Sequence, residues 1–349
     1  MGARLSSKKP TITDVARRAG VSVGTVSNVL NGAIKVSESR RERVMGAIRE
    51  LDYTQNMLAQ GLRRRRSPVI GLCVPNTSIA YFAALVDAFE EVAANHGFEI
   101  MQVLSRHDPR KERQRVNALL SYHVGGLILV PGMEPEGTYQ LIADSGIPVV
   151  VVDRPTGDYA FDEVTFDNRG AMFEAVSGLI GLGHKRILFV VKERLLSVTV
   201  QRSEGLRRAA DRAGPAVTAT ILECGDDQPT LATRLGAELK APRPPSVIIV
   251  SNSTIAAWTL RTLHGLGVSC PEEVSLIAFD EPEWADLVTP PLSVVRQPTR
   301  EIARMAWACL LRRMKNEADG VQRIQLQAEV VFRDSVRPPA AKPARRRAG

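Results

Sequence analysis

The 349-residue sequence predicts a small all-α headpiece of helix-turn-helix type, followed by an α/β core of two doubly wound parallel-sheet lobes. Three observations carry this. Residues 11–31 read as two short helices about a glycine turn. From Val69 onward, continuous β-branched runs alternate with amphipathic segments in two successive series, the mark of buried parallel strands in βαβ units. Charge is also divided. Residues 1–66 hold fourteen Lys/Arg against five Asp/Glu, residues 67–336 twenty-seven against thirty-three, and residues 337–349 five against none. A basic first fifth on an acidic body points to a polyanionic partner for that end alone.

The headpiece follows from its caps. Residues 1–9 are a polar, basic lead-in. Thr11 can accept from the amide of Asp14, and Asp14 can reach back to that of Thr11, a capping box. Ile12, Val15, Ala16 and Ala19 recur at helical spacing, and Gly20 tolerates the positive φ that ends the helix. Ser22 caps the next segment, whose Val26, Val29 and Leu30 face the first helix and leave Val23, Gly24, Ser27 and Asn28 outward. The second helix of such a motif lies in the DNA major groove; the alternative is a helical hairpin packed only for stability. Ser37 is expected to cap a third helix over residues 38–51, with Val44, Ala47, Ile48 and Leu51 closing the small core. Lys35, Arg40 and Arg41 sit near its start, where phosphate contact is expected; for Arg41 and Arg43 a solvated helix face is the competing reading.

Residues 56–63, NMLAQGLR, form a short amphipathic segment before four arginines and Ser67-Pro68. Gly61 costs about 1 kcal/mol inside a helix, and eight residues are too few to hold a helix in water, so this segment is expected to fold upon a partner. The first strand series is VIGLCV, FEIMQVL, GLILV and PVVVV; the second is RILFVV, ATILE, SVIIV and VSLIAF. A ligand crevice is expected at the carboxyl ends of such strands. Tyr81 and Phe82, just after the first strand, suit an apolar ring or sugar face, with lobe core as the alternative. The Pro-, Ala- and Arg-rich residues 337–349 read as a basic disordered tail.

Enzyme chemistry finds no foothold. Gly181-Leu-Gly183 and Gly265-Leu-Gly267 follow a helix and precede a strand, the reverse of a phosphate loop, and read as helix stops. No P-loop, G-x-S-x-G or H-E-x-x-H occurs, the five histidines are scattered, and no cofactor or metal is implied. Cys73, Cys224, Cys270 and Cys309 form no C-x-x-C pair and read as reduced thiols of a cytoplasmic protein. Residues 1–10 lack the apolar core of a signal peptide, and no stretch approaches a membrane span.

The run KPTITDVARRAGVSVGTVSNVLNG, then VSESRRERVMGAIRELDY and NMLAQGLR, resembles the headpiece and hinge of the lactose-repressor (LacI/GalR) family of bacterial transcription regulators. The match is dense over residues 9–63 and looser to about residue 335. It implies a headpiece over residues 10–55, a hinge helix and linker over 56–67, and a two-lobed, periplasmic-binding-protein-like effector and dimerisation core over 68–336. The expected function is a homodimeric regulator of transcription, more often a repressor, on a double-stranded, palindromic operator, under control of a small sugar or sugar-derived effector.

Carried over residue by residue, Val23, Gly24 and Asn28 take the base-reading positions, and Ser22, Thr25 and Ser27 the phosphate-holding ones. Thr11, Asn31 and Lys35 complete the headpiece set. Asn56, Ala59, Leu62 and Arg63 form the hinge set, in which Leu62 wedges between base steps in the minor groove. Gln55 departs from the proline common there. In the core, Arg202 of QRSEG matches the family's arginine that clamps a polar ligand group, and Asp280 of VSLIAFD its pocket aspartate. Ion pairing at the surface is the alternative for both. Asn252 belongs to SNSTIAAW, where Ser253 replaces the usual aspartate and Trp258 the usual glycine. A sugar-binding carboxylate is therefore missing, and the ligand need not be a typical neutral sugar. Two other classes compete: an extracytoplasmic binding protein of the same two-lobe shape, which leaves residues 11–66 without a use, and an α/β enzyme fused to a DNA-binding module. The strand Val294–Gln297 and the helix over residues 299–314 are expected to cross back to the first lobe.

Overall fold

The computed structural model describes residues 10–30, 36–53 and 67–339, and the chain divides into two compact units, Met1–Ser67 and Pro68–Gly349. In the first unit, α1 (Ile12–Ala19), α2 (Val23–Leu30) and α3 (Glu38–Glu50) enclose a core of Val15, Ala16, Ala19, Val26, Val29, Val44 and Ala47. Arg18 of α1 pairs with Glu50 of α3 at 2.6 Å on the outside of that core. Ser37 holds the N-cap position of α3 with extended backbone, but its side chain makes no capping hydrogen bond, contrary to expectation. The hinge residues expected over 56–63 lie outside the described residues.

The second unit contains two six-stranded sheets. The first lobe is built from β1 (Val69–Val74), α4 (Ala80–Asn95), β2 (Glu99–Leu104), α5 (Pro109–Ser121), β3 (Gly126–Leu129), α6 (Glu136–Ser145), β4 (Val149–Val152) and β5 (Asp162–Phe166). The second takes α7 (Asn168–Gly181), β6 (Arg186–Val191), α8 (Ser197–Ala213), β7 (Thr218–Glu223), α9 (Gln228–Leu239), β8 (Val247–Val250), α10 (Ser253–Leu266), β9 (Ser275–Phe279) and β10 (Ser293–Arg296). The chain then runs through α11 (Thr299–Met314), β11 (Arg323–Leu326) and β12 (Glu329–Val331). Strand orders are β11-β5-β4-β3-β1-β2 and β12-β10-β9-β8-β6-β7. All neighbours pair in parallel except β10 with β12. Each order reverses beside its first strand, β1 or β6, which opens a crevice at the strands' carboxyl ends.

Residues 294–296 lie within β10, which belongs to the second lobe, beside β9, so the expected crossing does not occur there. It follows at Gln297, and α11 does pack in the first lobe, its Ile302, Ala306, Trp307 and Leu310 joining the core of Ile70, Leu72 and Phe89. β11 then adds to the first sheet and β12 to the second, so the chain passes between the lobes three times. The strand β5 had no place in the apolar series. Its acids hide it: Asp162 takes a forked pair of hydrogen bonds from Arg313 at 2.9 and 2.6 Å, and Glu163 accepts from the amide and hydroxyl of Thr156. The Asp162 charge is thereby paired and the Glu163 carboxylate hydrogen-bonded, which makes their burial tolerable. The expected tail begins with an anchored residue: Arg337 pairs with Glu272 at 3.1 Å and bonds Ser275, while residues 340–349 lie outside those described.

Candidate DNA interface and effector cleft

The headpiece presents a capped, outward-facing second helix. Thr11 Nα–H and Oγ1 donate to Asp14 Oδ2 at 2.9 and 2.7 Å, and the Asp14 amide donates back to Thr11 Oγ1 at 3.4 Å. Gly20 adopts φ 64°, its amide closing on the Ala16 and Arg17 carbonyls, and Val21 bonds Ala16 O at 3.1 Å. That left-handed turn redirects the chain with no Cβ in the way. Ser22 Oγ then accepts from the Thr25 amide at 3.1 Å and lies 2.9 Å from the Thr25 hydroxyl. Val26 and Val29 are buried, while Ser22, Gly24 and Asn28 are exposed and Ser27 half-buried. Val23 differs from expectation: it is half-buried and packs against the headpiece core, so only part of its side chain faces outward. Asn31, Lys35, Asn56, Ala59, Leu62 and Arg63 lie outside the described residues.

In the second unit, a cleft of about 300 Å³ brings Tyr81, Phe82, Arg202, Asn252 and Asp280 together. Every loop that reaches it leaves the carboxyl end of a strand. Tyr81 and Phe82 are both core and lining: 6% exposed, packed with Phe89 and Phe166, their rings tilted by 58° with centres 5.2 Å apart. Arg202 is buried, not a surface ion pair. Its Nε donates to Asn168 Oδ1 at 2.7 Å, its Nη1 to the Ser251 carbonyl at 2.9 Å, and its guanidinium lies 3.7 Å from the Phe279 ring centre. Gly205, one turn on, makes this possible, because a Cβ there would stand 2.3 Å from the Arg169 carbonyl where α8 crosses α7. Burial lowers the Arg202 pKa to about 10, against the opposing pull of Asp280 and Asp153, so it stays charged at neutral pH.

Asp280 accepts from the Ser253 amide at 3.1 Å and from Gln297 Nε2. Burial pushes its carboxyl up to about 6, with Arg202 acting against that rise. Asn252 caps α10 by accepting from the Ile255 amide at 2.9 Å. Ser253, standing where a carboxylate was expected, accepts from the Ala80 amide at 3.1 Å and so ties the second lobe to the start of α4 in the first. Trp258 is half-buried against the second lobe's core and does not line the cleft.

The cleft also holds residues that the sequence reading passed over: His107, Asp153, Arg154, Lys192 and Gln297. Asp153 and Arg154 follow β4 as Asp280 and Glu281 follow β9, and that repeat was the available signal. Arg106 and His107 both have positive φ, 59° and 58°, in the turn between β2 and α5. Burial lowers the His107 pKa to about 4, so its ring is neutral. Among the described residues no group of His, Cys, Asp and Glu is placed to hold a metal, and no helix is long and apolar enough to cross a membrane.

Comparison with known proteins gives the same two parts. Residues 11–56 match the family described as bacterial regulatory proteins, lacI family, and residues 176–336 match the periplasmic binding protein-like domain. The HTH-type transcriptional regulator PtxS of Pseudomonas aeruginosa is 32% identical over 95% of this chain and 97% of its own. Catabolite control protein A of Priestia megaterium is 30% identical over 94% of this chain and 99% of its own. Among solved structures, the lac repressor dimer bound to operator and the anti-inducer ONPF superimposes with a TM-score of 0.81 at 25% identity, covering 95% of this chain and all of that one. A complex of the transcriptional regulator CelR with cellobiose gives 0.69 at 27% identity over 94% of this chain.

Proposed function

We propose, from the premise that the chain belongs to the LacI family of bacterial regulatory proteins, that it represses transcription from a palindromic operator as a cytoplasmic homodimer under control of a small sugar-derived effector. It is a transcriptional regulator, not an enzyme. In this reading Asn28 pairs with an adenine edge, Val23 offers its exposed part to a thymine methyl, and Gly24 lets the helix approach the bases closely. Ser22, Thr25, Ser27 and Thr11 hold phosphates, with Asn31 and Lys35 beside them. Asn56, Ala59, Leu62 and Arg63 enter the minor groove from two hinges of a dimer. The effector lies in the cleft against Tyr81 and Phe82, held by Arg202, Asn252 and Asp280.

The observation that carries the reading is the capped helix α2, which turns Gly24 and Asn28 to solvent on the unit with the basic excess. In vitro selection from random duplex DNA with the full chain tests it. Enrichment of an inverted repeat, bound by two chains, is the expected result. Enrichment of an asymmetric site, or of none, contradicts it.

A further inference from the structure

Resting on the effector reading above, we propose that the effector carries a carboxylate, taken by Arg154 at the first-lobe end of the cleft, with its hydroxyls read at the second-lobe end by Asp280 and Gln297. Arg154 is 3% exposed, yet its Nε and Nη1 have no hydrogen-bond partner among the described residues. The carboxylate nearest to it in sequence, Asp153, stands at 3.6 Å from Nε, beyond hydrogen-bond length. A guanidinium stripped of water with unspent N–H groups is costly, and a ligand carboxylate lying across Nη1 and Nη2 gives Nη1 the charged acceptor it lacks. Arg202 has less to offer a carboxylate, because its Nε and Nη1 already donate to Asn168 and the Ser251 carbonyl and leave Nη2 for the ligand.

His107 supplies a second donor. Asn76 Oδ1 accepts from the Ser78 and Ile79 amides, which orients its amide so that Nδ2 faces His107 Nε2 at 3.3 Å. With Nε2 accepting, the proton of the neutral ring sits on Nδ1. Of the four cationic side chains that line the cleft, Arg202 already gives two donors to the protein and Lys192 is paired with Asp226 at 2.9 Å, which leaves Arg154 and the exposed Arg106. At the other end Gln297 Oε1 is buried without a partner among the described residues, an acceptor site for a ligand hydroxyl. The volume, about 300 Å³, fits one sugar ring or open hexose chain.

The test is ligand binding to the full chain without DNA, by thermal shift and calorimetry. The probes are D-gluconate, D-galactonate, D-glucuronate and D-galacturonate, each beside its neutral parent sugar and that sugar's 6-phosphate. At least one acid should bind ten times more tightly than its neutral parent and its phosphate ester, and R154M should weaken it tenfold or more, with R154K retaining part. A neutral sugar or a phosphate bound as well as the acid, no acid bound, or full binding by R154M overturns the proposal. Should R154M fail to fold, the acid-against-neutral comparison on the unaltered protein decides alone. Operator binding by the same preparation reports separately on the regulator reading: DNA binding with a preference for neutral sugars removes only the carboxylate.

Discussion

Asp153 and Asp280 occupy equivalent places in the two lobes: each directly follows a central strand, β4 or β9, with φ of 74° and 72°, and each is buried, at 5% and 4% exposure. Burial raises both carboxyls, and both pull on the same guanidinium, that of Arg202. Aspartate tolerates the left-handed region better than most residues, and two strained positions facing one another mark a built site. The lobes thus close their cleft around a shared cation.

Asp280 should leave a pH signature. Its folded pKa, about 6, lies above the ordinary 3.8, so the native state keeps the proton longer and this group's contribution to stability falls as pH rises between those values. His107 runs the other way: its folded value of about 4 lies below 6.5, so stability is lost as pH falls through that window. D280N isolates the aspartate, since both proteins keep His107. The stability of D280N relative to the parent should grow by up to roughly 3 kcal/mol between pH 4 and pH 7, measured by denaturant titration. A difference that does not change with pH refutes the buried, proton-holding carboxyl.

Arg202 should matter to the second unit without any ligand. R202M strands the Asn168 carbonyl oxygen and leaves Asp280 without its neighbouring cation. Removing one member of a buried charged group costs roughly 3–5 kcal/mol. Calorimetry should show a lower Tm for the effector unit; an unchanged Tm returns Arg202 to a role in ligand contact alone.

Asn28 should set sequence preference. N28A should lose roughly tenfold in affinity for the selected operator, about 1.4 kcal/mol. Binding to random duplex and its slope against salt should stay as in the parent. Equal losses on both DNAs would make Asn28 a backbone contact.

Leu62 should contribute through bending. L62A should weaken operator binding tenfold or more and reduce the bend seen in the gel mobility of permuted fragments, with ligand binding unchanged. Operator bound and bent as by the parent would make Leu62 a linker residue.

Much of this was legible in the residues themselves. Thr11, Asp14 and Gly20 announce α1 and its turn through local chemistry, and uninterrupted β-branched runs announce the buried strands. Asp280 is legible through the family resemblance, which matches it to a pocket aspartate at the end of such a run. Asp153 and Arg154 end another, and reading the two lobes as one repeated pattern exposes them. Two features resist sequence reading because partners far along the chain decide them. β5 opens with two acids whose burial depends on Arg313 and Thr156. β10 stays in the second sheet because β9 and β12 flank it, while the helix after it crosses to the first lobe. Ser253 shows how a missing carboxylate can be informative: its hydroxyl serves the Ala80 amide across the lobes.

The most direct test joins the two units. With the selected operator and an acid that binds the cleft, operator affinity is measured at zero and saturating ligand, and ligand affinity with and without operator. A regulator whose cleft governs its headpiece must give the same factor in both directions, because coupling between two sites is reciprocal, with fivefold or more expected. Operator affinity indifferent to a saturated cleft would contradict the account.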